Sequence, residues 1–276
     1  MLNAEFGDNN ITVKLVYEKK RRLLVPNLFI LGAGKCGTTS LHVLLGRHPD
    51  VHLNAVKEPT FFCSYFQVIK NPVEYFRLFD SNKKYRVDSS HAYMSNPETP
   101  PILSALFPAA KFIVIMRSPK QRAYSLYRHM RRFLHEDGLP YENLSTFEEA
   151  LNAESDRFNS IKFAQDCRHY FWNFMYCNST FYDVQLQRYL RLYDIRQFHF
   201  LTLAELAKRP IETSQALARF LEIDGAPLEQ FVTSAYNQDG DFLPFSSDAD
   251  AHMEARFQGL TRRVDEIVGR RLDWSM

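Results

Sequence analysis

The chain has 276 residues, of which 45% are hydrophobic and 24% charged, which is ordinary for a soluble globular protein with one large α/β domain or two small ones. Its net charge of only +2 excludes a general electrostatic attraction to nucleic acid or to membranes, so any anion site must be built from locally placed cations. The sequence has no apolar stretch of transmembrane length and begins without the pattern of a signal peptide. We therefore expect a cytoplasmic protein without nucleic-acid or membrane partners.

The cysteines and aromatic residues indicate the redox state, the metal content and the type of pocket to expect. Cys36, Cys63, Cys167 and Cys177 form no CxxC pair and show no metal-ligand spacing with histidine, which predicts reduced thiols and no metal centre. Cys167 and Cys177 could pair in an oxidising compartment. The aromatic content of 14% suggests an aromatic-lined pocket, although core packing accounts for most such residues.

The first predicted elements lead into a glycine-rich turn. The alternation of Ile11, Val13 and Leu15 predicts a short edge strand or an arm, and the basic cluster 19–22 predicts a solvated face. The apolar run 28–31 predicts a buried strand. Glycines, a lysine and two threonines follow before apolar residues resume at helical spacing. A strand that enters a helix through such a turn presents backbone N–H groups and the helix dipole to an anion.

This turn differs from the P-loop of nucleotide triphosphatases. Gly32 and Gly37 have the P-loop spacing, but Thr38 stands where lysine should follow the second glycine. The lysine lies inside the loop instead, at Lys35. The displaced cation would reach a different atom of the ligand, which argues against ATP or GTP hydrolysis.

The rest of the chain alternates between strands and helices. Predicted elements are strands at 51–53, 85–87, 111–116 and 198–201, helices at 73–79, 97–106, 119–133, 184–193, 211–221 and 248–268, a helical insertion at about 135–176, and a loop-rich stretch at 225–244. This order predicts a single α/β domain, residues 1–276, with a central, mainly parallel sheet flanked by helices. Insertions of this kind often cover a substrate pocket, and we expect this one to lie on the substrate side.

A second candidate anion site follows the strand at 111–116. Arg117 ends that strand and Ser125 lies eight residues on, in the next helix. Arginine offers a forked, permanently charged donor for phosphate, and serine adds a hydroxyl from a rigid helix. The other face of this helix is rich in arginine: Arg122, Arg128, Arg131 and Arg132.

Together these two segments resemble the signatures of sulfotransferases that use 3′-phosphoadenosine 5′-phosphosulfate (PAPS). The order Gly-x-x-Lys-x-Gly-Thr-Thr at 32–39 resembles their 5′-phosphosulfate loop, and Arg117 with Ser125 resembles their 3′-phosphate site. The resemblance implies a P-loop-like sulfotransferase fold and PAPS as the donor. The residues that it implies for donor binding are Gly34, Lys35, Cys36, Gly37, Thr38, Thr39, Ser40, Arg117 and Ser125. We do not place the family's C-terminal PAPS loop within 238–244.

Two further segments resemble the heparan-type and bacterial members of the family. KEPTFF at 57–62 is similar to the segment that carries their catalytic base, which implies that role for Glu58, with His91 as the reserve. The segment 87–93, VDSSHAY, is similar to the continuation of their substrate site. The substrate contacts that follow from the resemblance are Glu58, Phe62, Asp88, Ser89, His91 and Tyr93.

The chain also departs from the glycan-sulfating pattern. Ser89 stands where those enzymes usually carry lysine, and Thr60 where they carry histidine. The missing cationic contacts favour a small-molecule acceptor, such as a secondary metabolite, over a glycosaminoglycan. Glu58 with Asp88 would suit a cationic one, for example a guanidinium alkaloid. A carbohydrate or glycolipid acceptor is the alternative.

The predicted reaction is in-line transfer of a sulfuryl group from PAPS to a hydroxyl or amine. Lys35 would stabilise negative charge on the leaving phosphate, and Glu58 or His91 would take the proton of the acceptor. A kinase-like nucleotide-binding protein and a non-catalytic scaffold are the more distant alternatives.

Overall fold

The computed structural model of the protein describes residues 3–7, 10–14, 24–64, 66–167, 169–229 and 246–275. The strands are β1 (Asn3–Gly7), β2 (Asn10–Lys14), β3 (Leu28–Gly32), β4 (Val51–Leu53), β5 (Tyr85–Asp88), β6 (Lys111–Met116) and β7 (Phe198–Thr202). The helices are α1 (Thr38–Gly46), α2 (Pro72–Arg77), α3 (Ala92–Ser95), α4 (Thr99–Leu106), α5 (Pro119–Arg132), α6 (Phe147–Asn152), α7 (Glu154–Asn159), α8 (Ile161–Asp166), α9 (Tyr182–Leu190), α10 (Leu203–Lys208), α11 (Pro210–Leu221), α12 (Ala226–Glu229), α13 (Ser247–Arg256) and α14 (Leu260–Val268).

A five-stranded parallel sheet organises the fold, and its strand order determines where a ligand can bind. The order is β4-β5-β3-β6-β7, while β1 and β2 form a separate antiparallel hairpin. The chain leaves β3 toward β4 on one side and leaves β6 toward β7 on the other. The loops after these two neighbouring strands therefore diverge and open a crevice at the carboxyl edge of the sheet, where α/β proteins bind ligands.

The two central strands explain why both faces of the sheet are covered. Alternate residues of β3 and β6 belong to two separate cores, Phe29 and Phe112 to one and Ile30 and Ile113 to the other, and all four are fully buried. Because side chains alternate across a strand, a strand that is apolar at every position requires helices on both faces. Helices α1 and α11 pack in the second core, and α5 and α9 pack in the first.

The structure confirms the α/β class and the five predicted sheet strands. Several of its helices differ from those predicted from the sequence. The predicted helix 248–268 is two helices, α13 and α14, because Gly259 turns the chain at a φ of 67°. The short helix α3 had not been predicted. The arginine-rich face of α5 is not uniformly exposed, since the Arg122 side chain is 2% exposed.

Other expectations fall at or beyond the limits of the described residues. The hairpin strand β2 covers part of the alternating segment 11–15. The basic cluster 19–22 and most of the loop-rich stretch, including 238–244, lie outside the described residues. None of the helices in the described ranges combines the length and hydrophobicity needed to cross a membrane.

Candidate active site

The loop between β3 and α1, residues 33–37, is shaped for an anion. Lys35 and Gly37 both take left-handed backbone conformations, with φ of 73° and 89°. Gly37 is the N-cap of α1, and no side chain caps that helix end. The first N–H groups of α1 are therefore left to a ligand, at the positive end of the helix dipole.

The two glycines of this loop are required for different reasons. A Cβ on Gly37 would lie 2.7 Å from Cδ1 of Leu203, in a backbone conformation that side chains disfavour. A Cβ on Gly34 would lie 3.0 Å from the ring of His91. Gly34 thus allows the histidine to approach the loop closely.

A cleft of about 460 Å³ joins this loop to the end of β6. Four of the predicted functional side chains line it together: Lys35, Glu58, His91 and Arg117. Gly34, Gly37, Thr38, Thr39 and Ser40 line it as well. The sequence-based site is thus assembled from four separate segments of the chain.

Arg117 faces the loop across the crevice between β3 and β6. Its guanidinium is largely buried, and its Nε lies 3.4 Å from Oε1 of Gln121 one turn into α5. The hydroxyl of the fully buried Tyr182 donates to the carbonyl of Arg117 and lies 3.6 Å from Sγ of Cys36. Tyr182 therefore ties the two candidate anion-binding segments to one helix, α9.

Glu58 lies between Lys57 and His91. Its carboxylate contacts the Lys57 ammonium, and Oε2 lies 2.6 Å from Nδ1 of His91, although the angle of this second contact is outside hydrogen-bond geometry. Burial opposes ionisation of Glu58, but the interactions with His91 and Lys57 outweigh it and hold the pKa of the carboxyl well below its usual range. Glu58 is therefore a carboxylate throughout the physiological pH range.

The backbone around Glu58 is held in an uncommon conformation. Glu58 and Thr60 have positive φ values of 63° and 47° on either side of Pro59. The N–H of Thr60 donates to Oγ of Ser90, and Oγ1 of Thr60 accepts from the N–H of Val68. Positive φ at non-glycine residues persists only where surrounding contacts enforce it. These bonds enforce the direction in which Glu58 points.

Asp88 supports the segment that carries Glu58 from inside the protein and does not reach the cleft. It is 0% exposed, and its oxygens accept from Ser90, Tyr75 and Tyr93. Ser90 in turn accepts from Thr60, so Asp88 supports the segment that carries Glu58. The expected contact between Asp88 and an acceptor is not possible in this conformation.

Five other predicted residues also lie behind the wall of the cleft. Phe62 and Tyr93 pack in the aromatic core, and Ser89 bonds Nδ1 of His42 at 2.7 Å. Cys36 is 0% exposed and its N–H donates to the carbonyl of Ala33, which closes the turn. Ser125 is 4% exposed on α5. Burial places the side chains of Phe62, Ser89 and Tyr93 where they support the site without touching an acceptor.

The comparison with known families decides what this fold is. A family model described as a sulfotransferase domain matches residues 25–248. The chain belongs to this family. The family predicted from the loop and from Arg117 is thereby confirmed.

Relatives of this sulfotransferase domain include much longer proteins. The bifunctional heparan sulfate N-deacetylase/N-sulfotransferase 1 of Caenorhabditis briggsae is 27% identical over 214 residues, which is 75% of this chain and 24% of that protein. The human protein of the same name is 29% identical over 207 residues, 72% of this chain and 22% of its own length. The chain therefore spans about a quarter of the curated relatives that it matches.

Solved structures agree with the fold. A sulfotransferase from Alicyclobacillus acidocaldarius has a TM-score of 0.70 at 27% identity, covering 89% of this chain and 96% of that one. Mouse sulfotransferase SULT7A1, solved with PAP, has a TM-score of 0.59 at 16% identity, covering 88% and 87%. The predicted P-loop-like sulfotransferase fold is confirmed.

The sulfotransferase domain has a second wall that the sequence did not reveal. It is formed by Phe66, Val68, Leu126, His129, His169, Tyr170 and Asn173. Burial lowers the pKa of both His129 and His169 to about 4, so both are neutral at neutral pH. The last three members come from the predicted insertion, and only the expectation that insertions cover pockets pointed to them.

Proposed function

We propose that the protein transfers a sulfuryl group from PAPS to a hydroxyl or amine of a small, uncharged acceptor. One observation carries the proposal. Lys35 and Arg117, from loops that follow the adjacent strands β3 and β6, line the same cleft at the point where the chain diverges from the sheet. Two separated cations at this position suit a ligand with two anionic ends.

The residues of the loop fit the 5′ end of PAPS. The uncapped N-terminus of α1 and the left-handed turn at 35–37 would hold its phosphosulfate, with Thr38 and Thr39 as further donors. Arg117 would hold the 3′-phosphate, and Ser125, buried on α5 behind the wall of the cleft, would support that end of the site. The presence of PAP in the related mouse structure supports this donor. When bound, PAPS supplies the sulfuryl group and its phosphate end is the leaving group.

Lys35 is the residue that we assign to the leaving group. Its side chain is half-buried in the loop and reaches the cleft. An ammonium that is already in place where negative charge develops stabilises the transition state without reorganisation. The displacement of this lysine from the P-loop position suits transfer of a sulfuryl group better than transfer of a terminal phosphate.

Proton removal is assigned to Glu58 and His91 acting as a pair. Glu58 contacts Nδ1 of His91, so the Nε2 end of the ring is left to the cleft beside Gly34. In this arrangement neutral His91 accepts the proton of the acceptor, and the Glu58 carboxylate stabilises the resulting imidazolium. The low pKa of Glu58 supports this division of roles, because a carboxylate that stays ionised beside the Lys57 ammonium is a weak base.

The wall opposite the loop supports an uncharged acceptor. Phe66, Val68, Leu126 and Tyr170 are apolar or aromatic, and burial keeps His129 and His169 neutral. A cationic guanidinium compound has less support than the sequence suggested, because Asp88 is buried and Glu58 already contacts Lys57 and His91. A molecule of secondary-metabolite size suits the cleft volume.

A carbohydrate is the second candidate acceptor. It is favoured by the relatives named as heparan sulfate N-sulfotransferases. The neutral second wall argues against it, because a polyanionic sugar requires cations along its length. Among the described residues, the cations that line this cleft are Lys35, Lys57 and Arg117, and they lie with the loop or beside Glu58.

The experiment has two stages. Calorimetry first measures binding of PAP to the purified protein, with ATP and Mg²⁺ as the comparison. Radiolabelled PAPS is then offered with a panel of phenols, aliphatic alcohols, amines, guanidinium compounds and heparosan oligosaccharides. We expect PAP binding and label transfer to uncharged phenols or alcohols. Absence of PAP binding would overturn the donor, and labelling confined to the oligosaccharides would overturn the acceptor.

A further inference from the structure

Arg122 is a buried cation directly beneath the loop 33–37. It lies in the first turns of α5, and at 2% exposure it is among the largest fully enclosed side chains of the described residues. Its Nε donates to the carbonyl of Gly34 at 3.2 Å. Its Nη1 donates to Thr180 Oγ1 at 2.7 Å and to Ser179 Oγ. The guanidinium thus joins the loop to the short helical turn that precedes α9.

The bond to Gly34 controls the direction of the next amide. In a planar trans peptide the C=O and N–H groups point in opposite directions. The carbonyl of Gly34 points to Arg122, inside the protein. The N–H of Lys35 therefore points away from Arg122, toward the cleft that Gly34 and Lys35 line. Lys35 also has a positive φ, a conformation that requires outside support in a non-glycine residue.

The hydrogen bonds of the Arg122 guanidinium all go to neutral groups. The acceptors of its guanidinium are two carbonyls, Gly34 and Tyr176, and two hydroxyls, Ser179 and Thr180. In the described ranges no carboxylate shares these contacts. The nearby carboxylate of Glu154 instead accepts the backbone N–H groups of Cys177 and Asn178. Glu154 therefore interacts with Arg122 through charge alone, without a hydrogen bond. A buried cation that no carboxylate contacts directly is costly, and a bound anion reduces that cost.

We propose that Arg122 is a positioning residue for the donor: it fixes the 34–35 peptide in its anion-binding direction, and its charge adds to the positive potential of the loop. This proposal rests on the proposed function, since the anion that benefits is the phosphosulfate end of PAPS. Arg122 does not line the cleft and acts through the backbone of the loop.

The test exchanges Arg122 for lysine. Arg122→Lys keeps the charge but cannot bridge Gly34 and Thr180 at once, because an ammonium lacks the forked geometry of a guanidinium. Arg132→Lys is the matched control, since it makes the same exchange at an exposed position of the same helix. We expect the Kd for PAP to rise about tenfold and kcat to fall by at least as much in Arg122→Lys, with a Tm close to that of the control.

Two outcomes would overturn the proposal. One is a folded Arg122→Lys protein with the PAP affinity and kcat of the control. The other is a lowered Tm with unchanged Kd and kcat per folded molecule, which would make Arg122 merely structural. If Arg122→Lys does not fold, Thr180→Val decides, because it leaves the guanidinium in place and removes one of its far acceptors, together with the bond from Thr180 to the carbonyl of Tyr176. A weaker PAP affinity supports the proposal and an unchanged one overturns it. Failure of the wild-type protein to bind PAP would instead overturn the donor.

Discussion

Nδ1 of His91 lies 2.6 Å from Oε2 of Glu58, so a histidine from the end of β5 and a carboxylate from the segment 57–60 meet on one wall of the cleft. Sequence reasoning treated them as rival candidates for one role. The contact makes them partners, and the Lys57 ammonium contacts the same carboxylate. Each of the two is held by buried polar groups: Ser90 bonds the N–H of Thr60, and Asp88 holds Ser90.

The first prediction concerns this pair. Glu58→Gln removes the charge that stabilises protonated His91, and we expect kcat to fall on the order of 100-fold while the PAP affinity changes little. Steady-state kinetics and calorimetry measure the two effects separately. Glu98→Gln, the same exchange at an exposed residue before α4, is the control. A Glu58→Gln enzyme with the kcat of this control would remove Glu58 from the mechanism.

The second prediction concerns the lysine of the loop. Lys35→Ala should lower kcat by about 100- to 1,000-fold, because the ammonium acts on charge that develops only in the transition state. PAP already carries its full charge, so its affinity should fall far less than kcat. Lys70→Ala, at an exposed position, is the control. Equal losses in kcat and in PAP affinity would show that Lys35 serves binding alone.

The parts of the site that were predictable from the sequence are those carried by one continuous segment. Lys35 and Gly37 lie between a buried strand and a helix, and their local spacing already specifies an anion-binding turn. Arg117 was found for the same reason, as the polar residue that ends a β-branched strand. Burial of individual polar residues was not predictable in this way.

Arg122 and Asp88 illustrate the difference. Helical spacing placed Arg122 with the other arginines of α5, yet its partners at 179–180 lie more than fifty residues away in the sequence. Asp88 follows a buried strand, as ligand-binding carboxylates do, but Tyr75 and Tyr93 enclose it. His169 reaches the cleft from the insertion, which has no strand to fix its position in advance. In each case the deciding contact is long-range.

The third prediction separates crowding from backbone strain in the loop. Gly37 and Gly138 both have positive φ, 89° and 79°, but a Cβ on Gly37 would meet Leu203 at 2.7 Å, whereas one on Gly138 would meet nothing within 4 Å. Gly138→Ala should cost about 1–2 kcal/mol in the free energy of unfolding and leave kcat unchanged. Gly37→Ala should cost more and should weaken PAP binding, as measured by urea unfolding and calorimetry. Equal unfolding free energies and equal PAP affinities in the two variants would contradict this account.

The last prediction uses the buried carboxyl of Asp88. Burial raises its pKa from 3.8 to about 6, although bonds from Ser90, Tyr75 and Tyr93 act in the opposite direction. The folded protein therefore binds more protons than the unfolded chain between these two values. Stability contributed by this group must fall as pH rises through that window, by about 3 kcal/mol in total.

Asp88→Asn tests this sign, because asparagine does not titrate and can still accept from Ser90. The absolute stability of the variant is not the readout, since its amide must also accommodate the hydroxyls of Tyr75 and Tyr93. The readout is the difference in unfolding free energy between wild type and variant, measured in urea from about pH 4 to about pH 7. That difference should shift in favour of the variant as pH rises. Asp166→Asn, an exposed exchange on α8, should follow the wild type at every pH. Parallel curves for wild type and Asp88→Asn would mean that Asp88 is ionised in the folded protein already at the lowest pH.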